Sequence, residues 1–460
     1  MAENLHGYPF WLLSFDKQGN PEDAGAIDRL IAGLGSEEIT DLFIFSHGWN
    51  NDRTAALALY NRFFGEMRKV LDSKPLKNPT TRIGIAGVVW PSILWPDDAE
   101  SASMDHVMAG GGGGVALGGG APVPAAQATP RQIRIELGKG YDNAHQLSLL
   151  DELTAMLETQ TKTEAALKEF RAKLAEFLES EAGGARIDGK QPDAAEGAIA
   201  GLSDAKWRGL LEVLGDQATR GQSSGSGGAA GFGDPFKKLW AGAKDALRVA
   251  TYWQMKQRAG VVGRSGLGER VLARIAAEAG KTRIHLLGHS FGARLVSFSL
   301  SGLPAALEGE RSPIKSLFLL QGAFSHFTFA DQLPHDAARS GELRGMAARV
   351  DGPLLATHSL KDLAVGRSYP AASFVNGDDS AAASDQVSRW GGMGYDGAQA
   401  VGAIAEPLAL PGKQYPFKKG AWLNLDANKV IIHGGLPSGA HSDIAHPQTA
   451  WAALAAADIV

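Results

Sequence analysis

Short apolar runs alternate along the chain with longer segments of helical periodicity. Turns rich in Gly, Asp or Asn follow the runs, and most runs are apolar at successive positions, as in strands buried on both faces. This alternation predicts an α/β fold whose central sheet is mainly parallel and flanked by helices. The predicted strands span residues 10–15, 41–46, 82–90, 283–288, 314–321, 353–359 and 429–433.

Helical periodicity is clear after the second predicted strand. Apolar residues are spaced three and four apart there, and Asn50, Asn51 and Asp52 precede them as candidate N-caps. Further along, apolar stripes within 150–157 and 167–178 carry Lys and Glu on their other faces and predict a helical hairpin.

The strand rhythm stops between residues 97 and 244. Two glycine-rich segments, 108–120 and 221–233, favour flexible loops, and so many glycines make a poor membrane-spanning helix. We therefore predict one domain formed by residues 1–96 and 245–460, interrupted by a large glycine-rich and helical insertion at 97–244.

Composition narrows the available chemistry. The 460-residue chain has no cysteine, which excludes disulfides, thiol nucleophiles and cysteine-based metal sites. Its net charge of −5 lacks the excess of Lys and Arg that nucleic-acid binding needs, so no nucleic-acid partner is expected. The amino terminus has no signal-peptide pattern, and we expect a cytoplasmic location, although signal-independent export would leave the same sequence.

The strongest local motif is Gly288-His289-Ser290-Phe291-Gly292. An apolar strand pattern runs into it and a helical pattern follows directly, which is the context that a G-x-S-x-G nucleophile turn requires. The two glycines avoid collisions between strand and helix, and the helix start places backbone N–H groups beside a developing anion. Ser290 is therefore the candidate nucleophile.

A second motif, His47-Gly48-Trp49-Asn50, follows the strand predicted at 41–46. Gly48 allows the backbone to turn so that the next N–H faces the nucleophile, as one half of an oxyanion hole. We assign the backbone amides of Trp49 and Phe291 as the two oxyanion donors. An isolated His-Gly pair would more simply be a β-turn with a buried histidine.

These motifs, in this order and with Trp90-Pro91-Ser92 between them, resemble the α/β-hydrolase superfamily of serine hydrolases. The similarity is closest to a bacterial branch with F-x-H-G-[WY]-N, W-P-S and G-H-S-x-G motifs. It covers roughly residues 1–96 and 245–460 and leaves the insertion outside. The resemblance implies an α/β-hydrolase fold and a triad in the chain order Ser, then Asp or Glu, then His.

Asp362 is the candidate acid. It follows the strand predicted at 353–359, and its role would be to orient the catalytic imidazole and stabilise the imidazolium. The rivals Asp378, Asp379 and Asp396 lie in a region rich in Gly and Ser without a preceding strand, which favours turn residues.

His441 is the candidate base. It lies in the loop between the strand predicted at 429–433 and the terminal helix, where flexible glycines would let it reach back to Ser290. His433, at the strand end, is expected to pack structurally, and His446 before Pro447 is expected to start the last helix.

Two further clusters could indicate other chemistries. His441, Asp443 and His446 could be read as metal ligands, but short His and Asp runs are more often helix-start residues, so no metal is expected. The glycine-rich stretch 263–268 lacks the strand-then-helix context of a nucleotide-binding loop and is expected to be an ordinary loop.

The sequence thus predicts hydrolysis of an ester or related acyl bond through an acyl-Ser290 intermediate, without a cofactor. The expected substrate is a small-molecule or lipid-like acyl compound. Two alternatives stay open: an acyltransferase or lipase with the same triad, and a non-catalytic partner-binding module on the same fold. The insertion fits either a cap over the active site or a surface for a protein partner.

Overall fold

Two compact units make up the described part of the chain. The computed structural model describes residues 2–93, 95–96, 128–182, 201–220, 234–368, 391–435 and 438–460. One unit runs to Ser92 and resumes at Lys256, and the other extends from Ile93 to Met255. The glycine-rich segments predicted as loops at 108–120 and 221–233 lie outside the described residues.

The first unit is built on a nine-stranded sheet. Its strands are β1 (Glu3–Leu5), β2 (Tyr8–Ser14), β3 (Asp41–Ser46), β4 (Ile83–Val89), β5 (Arg283–His289), β6 (Ile314–Leu320), β7 (Leu354–His358), β8 (Ile404–Pro407) and β9 (Trp422–Asp426). Their spatial order is β1-β2-β4-β3-β5-β6-β7-β9-β8, and every neighbouring pair is parallel except β1 with β2. The mostly parallel sheet predicted from the sequence is confirmed.

The helices follow in chain order. They are α1 (Ala26–Ser36), α2 (Arg53–Ser73), α3 (Pro130–Gly138), α4 (Ala144–Thr159), α5 (Glu164–Ala182), α6 (Asp204–Arg220), α7 (Pro235–Val261), α8 (Ala273–Glu278), α9 (Phe291–Ser299), α10 (Met393–Asp396) and α11 (Pro447–Ala456). Asp52 caps α2 as predicted, because its side chain accepts from the Ala55 N–H at 2.8 Å.

Both faces of the central strands are buried, which explains their continuous apolar runs. Phe43 and Phe45 pack into a core shared with α2 and α11, and the alternate residues Leu42 and Ile44 are equally inaccessible to solvent. Every residue of β3 is buried. Helices on both faces of a parallel sheet produce this pattern.

The prediction of a strand at residues 429–433 is wrong. The last strand in chain order is β9, and residues 429–433 form a turn after it in which the N–H groups of Val430 and Ile431 both donate to the Ala427 carbonyl at 2.9 Å. The next N–H, that of Ile432, donates to the Asp443 carboxylate at 2.9 Å. These amides are satisfied locally, so the apolar run does not join the sheet.

The glycine-rich stretch 263–268 is not a loop either. It lies within a π-helical segment, Val262–Leu272, that packs against α9. A Cβ on Gly263 would lie 2.2 Å from the Leu295 carbonyl oxygen, and one on Gly268 would lie 2.4 Å from the Ser299 carbonyl oxygen. The glycines therefore serve close approach of two helical backbones rather than chain flexibility.

The second unit is helical in its described residues. Helices α4 and α5 form the predicted hairpin, with Leu150 and Leu153 of α4 and Leu174 and Phe177 of α5 buried. Within the described residues of the whole chain, we find no helix that combines the length and the apolar character needed to cross a membrane.

Candidate active site

Ser290 occupies the sharp turn between β5 and α9. Its backbone has φ 58° and ψ −122°, a strained region for a residue with a side chain, and its N–H donates to the Leu320 carbonyl at 3.1 Å. A Cβ on Gly288 would lie 2.3 Å from the Gly292 carbonyl oxygen, and one on Gly292 would lie 2.1 Å from the Ser46 carbonyl oxygen. Close packing of strand, turn and helix therefore explains the spacing of the two glycines.

The loop after β3 lies against Ser290. A Cβ on Gly48 would come within 2.4 Å of Ser290 Cβ and 3.0 Å of its Oγ. The Gly48 carbonyl accepts from His47 Nδ1 at 2.8 Å, and because a trans peptide points its C=O and N–H in opposite directions, the Trp49 N–H faces away from His47. Phe291 opens α9, whose positive dipole end begins next to Ser290. Both predicted oxyanion amides thus belong to segments that border Ser290.

The His47 ring supports this loop from within the core. Its Nε2 accepts from the Trp90 N–H at 3.3 Å, so Nδ1 carries the proton that is donated to the loop carbonyl. Trp90 Nε1 in turn donates to the His47 carbonyl at 2.9 Å, and the two rings are stacked. Burial lowers the pKa of His47 to about 4, so the ring stays neutral near pH 7 and this donor pattern is preserved.

Asn51 and Ser92 join the two sequence motifs. Ser92 Oγ donates to the Asn51 carbonyl at 2.7 Å and accepts from the Asn51 N–H at 3.3 Å. Asn51 Nδ2 donates to the Trp49 carbonyl at 2.9 Å. Asn50 adopts φ 63°, a left-handed conformation that asparagine tolerates. The segment around Trp90-Pro91-Ser92 therefore holds the loop that carries Trp49.

Asp362 and His441 are brought together by their loops. His441 Nδ1 lies 2.7 Å from Asp362 Oδ2, and the Asp362 side chain is fully buried. The carboxylate also accepts from the Val365 N–H at 3.0 Å and from Gln321 Nε2 at 2.9 Å. Because an ionised carboxylate only accepts hydrogen bonds, Nδ1 of His441 carries the proton and Nε2 presents its lone pair.

Main-chain pairing fixes the loop that carries Asp362 against the loop that carries His441. The Ser438 carbonyl accepts from Leu363 N–H at 3.2 Å, and the Ala440 N–H donates to the Lys361 carbonyl at 2.9 Å. Gly439 between them has φ +61°, and a Cβ there would lie 2.3 Å from the Lys361 carbonyl oxygen. We expected this glycine to supply flexibility, but it allows a tight, paired conformation that orients the His441 backbone.

His289 connects the turn at Ser290 to the loop that carries His441. Its Nε2 donates to the His441 carbonyl at 2.9 Å, and the two ring centroids are 4.9 Å apart. Within the described residues, the Ser290 hydroxyl is not hydrogen-bonded to the His441 ring. Catalytic hydrogen bonds of this kind are often long without substrate and shorten when it binds.

Buried His289 is expected to make the fold sensitive to acid. Burial lowers the pKa of His289 to about 3, so the unfolded chain binds a proton that the folded chain excludes as pH falls below about 6.5. Stability from this group is therefore complete above pH 6.5 and decreases toward pH 3. Urea unfolding should show that His289→Gln reduces the loss between pH 7 and pH 5 by about 2 kcal/mol. An unchanged pH dependence in a folded variant would contradict this assignment.

Of the rival acids, the structure describes Asp396 alone. Asp396 pairs with His326, whose Nδ1 lies 2.8 Å from its carboxylate, and Asp378 and Asp379 lie outside the described residues. The prediction that His433 packs structurally is wrong, because its side chain is 78% exposed. Its Nδ1 lies 3.3 Å from the Asp443 carboxylate.

The last predicted helix start is confirmed. His446 precedes α11, and its N–H donates to Thr449 Oγ1 at 3.1 Å. His446 Nε2 contacts the Asp443 carboxylate at 2.9 Å, away from the Asp362 pair. In the described ranges, no group of three or more His, Asp and Glu side chains could hold a metal ion.

Gln321 and Tyr60 belong to the site but were missed from the sequence. The Tyr60 hydroxyl accepts from the His47 N–H at 3.0 Å and donates to the Val88 carbonyl at 2.5 Å. Tyr60 is indistinguishable from the packing residues of its helix in sequence. Gln321 carried a usable signal, because it is a polar residue at the carboxyl end of an apolar strand.

No family model, curated protein or solved structure matches the chain.

Proposed function

We propose that this chain is a serine hydrolase of the α/β-hydrolase fold that cleaves an ester or related acyl bond. The observation that best supports this proposal is the 2.7 Å hydrogen bond from His441 Nδ1 to Asp362 Oδ2. Asp362 follows β7 and His441 follows β9, at the same carboxyl edge of the parallel sheet where Ser290 follows β5. This edge is where open α/β sheets bind their ligands.

Acyl transfer to Ser290 begins with loss of its hydroxyl proton. Ser290 Oγ attacks the acyl carbon as its proton passes to His441 Nε2, and the amides of Trp49 and Phe291 stabilise the oxyanion. The imidazolium then protonates the leaving alkoxide as the acyl–oxygen bond breaks. A water molecule, deprotonated by the same nitrogen, hydrolyses the acyl-enzyme and restores Ser290. Asp362 keeps the His441 proton on Nδ1 throughout.

A fluorophosphonate probe tests the nucleophile directly. We expect stoichiometric labelling of the full chain, with the adduct mass on the peptide that contains Ser290, and no labelling of Ser290→Ala. Ser301→Ala is the matched control, since its hydroxyl donates only to the Phe298 carbonyl, at 2.7 Å, in the same stretch of chain. Absence of labelling in well-folded wild type would contradict the proposal.

The acyl specificity follows from a second assay. A series of p-nitrophenyl esters of increasing acyl length, with Ser290→Ala as the blank, separates short-chain esterase activity from activity on lipid-like substrates. Product analysis with added alcohol acceptors would reveal acyl transfer in place of hydrolysis.

A further inference from the structure

The side chain of Gln321 contacts the triad acid directly. Gln321 follows β6 and is completely buried. Its Nε2 donates to Asp362 Oδ2 at 2.9 Å, and this is the same oxygen that accepts from His441 Nδ1 at 2.7 Å. Two donors therefore converge on one carboxylate oxygen, while Val365 N–H donates to the other at 3.0 Å.

The orientation of this amide is fixed by its surroundings. Nε2 also donates to the Gly394 carbonyl at 2.9 Å, so both neighbours of the nitrogen are acceptors and a flipped amide would place its oxygen against them. The Gln321 N–H donates to Thr357 Oγ1 at 3.0 Å, and its backbone adopts φ 47°. A non-glycine residue held in this strained, left-handed conformation requires support from the surrounding structure.

We propose that Gln321 is the positioning residue of Asp362. Its amide holds Asp362 Oδ2 in the orientation that faces His441. The amide also stabilises the negative charge of the carboxylate, so that His441 is not the only side-chain donor to this oxygen. Three donors on two oxygens prevent rotation of the carboxylate about its terminal bond. This inference rests on the proposed function for its effect on rate, but the contact itself can be tested without activity.

Kinetics of Gln321→Leu test the effect on rate. Leu is close in size and removes the donor, so we expect kcat to fall about 10- to 100-fold, the range for losing a hydrogen bond to a charged group, with KM nearly unchanged. In an Asp362→Ala background the same substitution should cost less than about twofold, because its effect acts through Asp362. Equal losses in both backgrounds would overturn the proposal in favour of a general structural role.

Gln332→Leu is the matched control. Gln332 is exposed, and its Nε2 donates to the Ala337 carbonyl at 2.9 Å. Like Gln321→Leu, the Gln332→Leu variant loses side-chain hydrogen bonding from a glutamine amide, but Gln332 lies outside the site. We expect its kcat and KM to match the wild type.

Nuclear magnetic resonance tests the contact in the protein itself. In full-length wild type, the side-chain amide protons of Gln321 should show a nuclear Overhauser effect to the proton on His441 Nδ1, because both groups donate to Asp362 Oδ2. The Nδ1 proton should move downfield in Gln321→Leu as one competing donor is lost. Gln321→Met serves if the Leu variant does not fold. Absence of this nuclear Overhauser effect, with both resonances observed, overturns the inference, whereas its presence in a chain without esterase activity overturns only the proposed function.

Discussion

Asp362→Asn is expected to lower kcat for an activated ester about 10⁴-fold, the loss seen when the same change is made in a serine protease triad. The 2.7 Å contact from His441 Nδ1 to Asp362 Oδ2 makes the carboxylate the acceptor that fixes the tautomer. With its oxygen at the Oδ1 position, where the Val365 N–H donates at 3.0 Å, the Asn amide presents its N–H groups at the Oδ2 position toward His441. His441 would then carry its proton on Nε2 and could not act as a base. Steady-state kinetics on variant protein with an unchanged thermal transition measure the effect.

Asp396→Asn is the control for this experiment. Asp396 was a rival acid in the sequence, and its carboxylate pairs with His326 Nδ1 at 2.8 Å, a hydrogen bond that an Asn oxygen can still accept. We expect its kcat to stay within about threefold of wild type. A large loss at Asp396 with a small loss at Asp362 would reverse the acid assignment.

Gly292→Ala is expected to destabilise the fold by about 3 kcal/mol or more. The new Cβ would lie 2.1 Å from the Ser46 carbonyl oxygen and 2.4 Å from that of His47. Both are backbone atoms of the central strand β3 and the loop after it. The steric clash can therefore be relieved only if α9 or the sheet moves. Urea unfolding measures the change in the free energy of unfolding, and failure to fold is the extreme form of the same result.

Gly35→Ala controls for the substitution itself. Gly35 lies in α1, and a Cβ there would meet nothing within 4 Å. Since Ala is the better helix former, we expect equal stability or a gain of up to about 1 kcal/mol. If Gly292→Ala were as stable as Gly35→Ala, the explanation of the G-x-S-x-G spacing by close packing would fail.

Sequence reasoning succeeded where local chemistry and buried periodicity decide the outcome. The apolar run at 42–45 predicted β3 with the observed bounds, since burial on both faces favours apolar residues at successive positions. The turn at Ser290 could be predicted because Gly288 and Gly292 meet a short-range steric requirement. The pairing of Asp362 with His441 followed from the chain order that the α/β-hydrolase resemblance implies, and it agrees with their 2.7 Å contact.

The tertiary structure decided what depends on distant partners. The run 429–433 has strand-like residues, yet its amides are satisfied by Ala427 and Asp443, so it forms a turn. The glycines of 263–268 resemble a loop locally, but α9 requires them for close helix packing. Gln321 becomes part of the site only because β6 ends beside the loop that carries Asp362. By itself, the sequence determined which side chains could do chemistry, because their types and local steric needs are encoded nearby. Which atoms meet was decided by the fold, because hydrogen-bond partners from separate strands are close only when the sheet has formed.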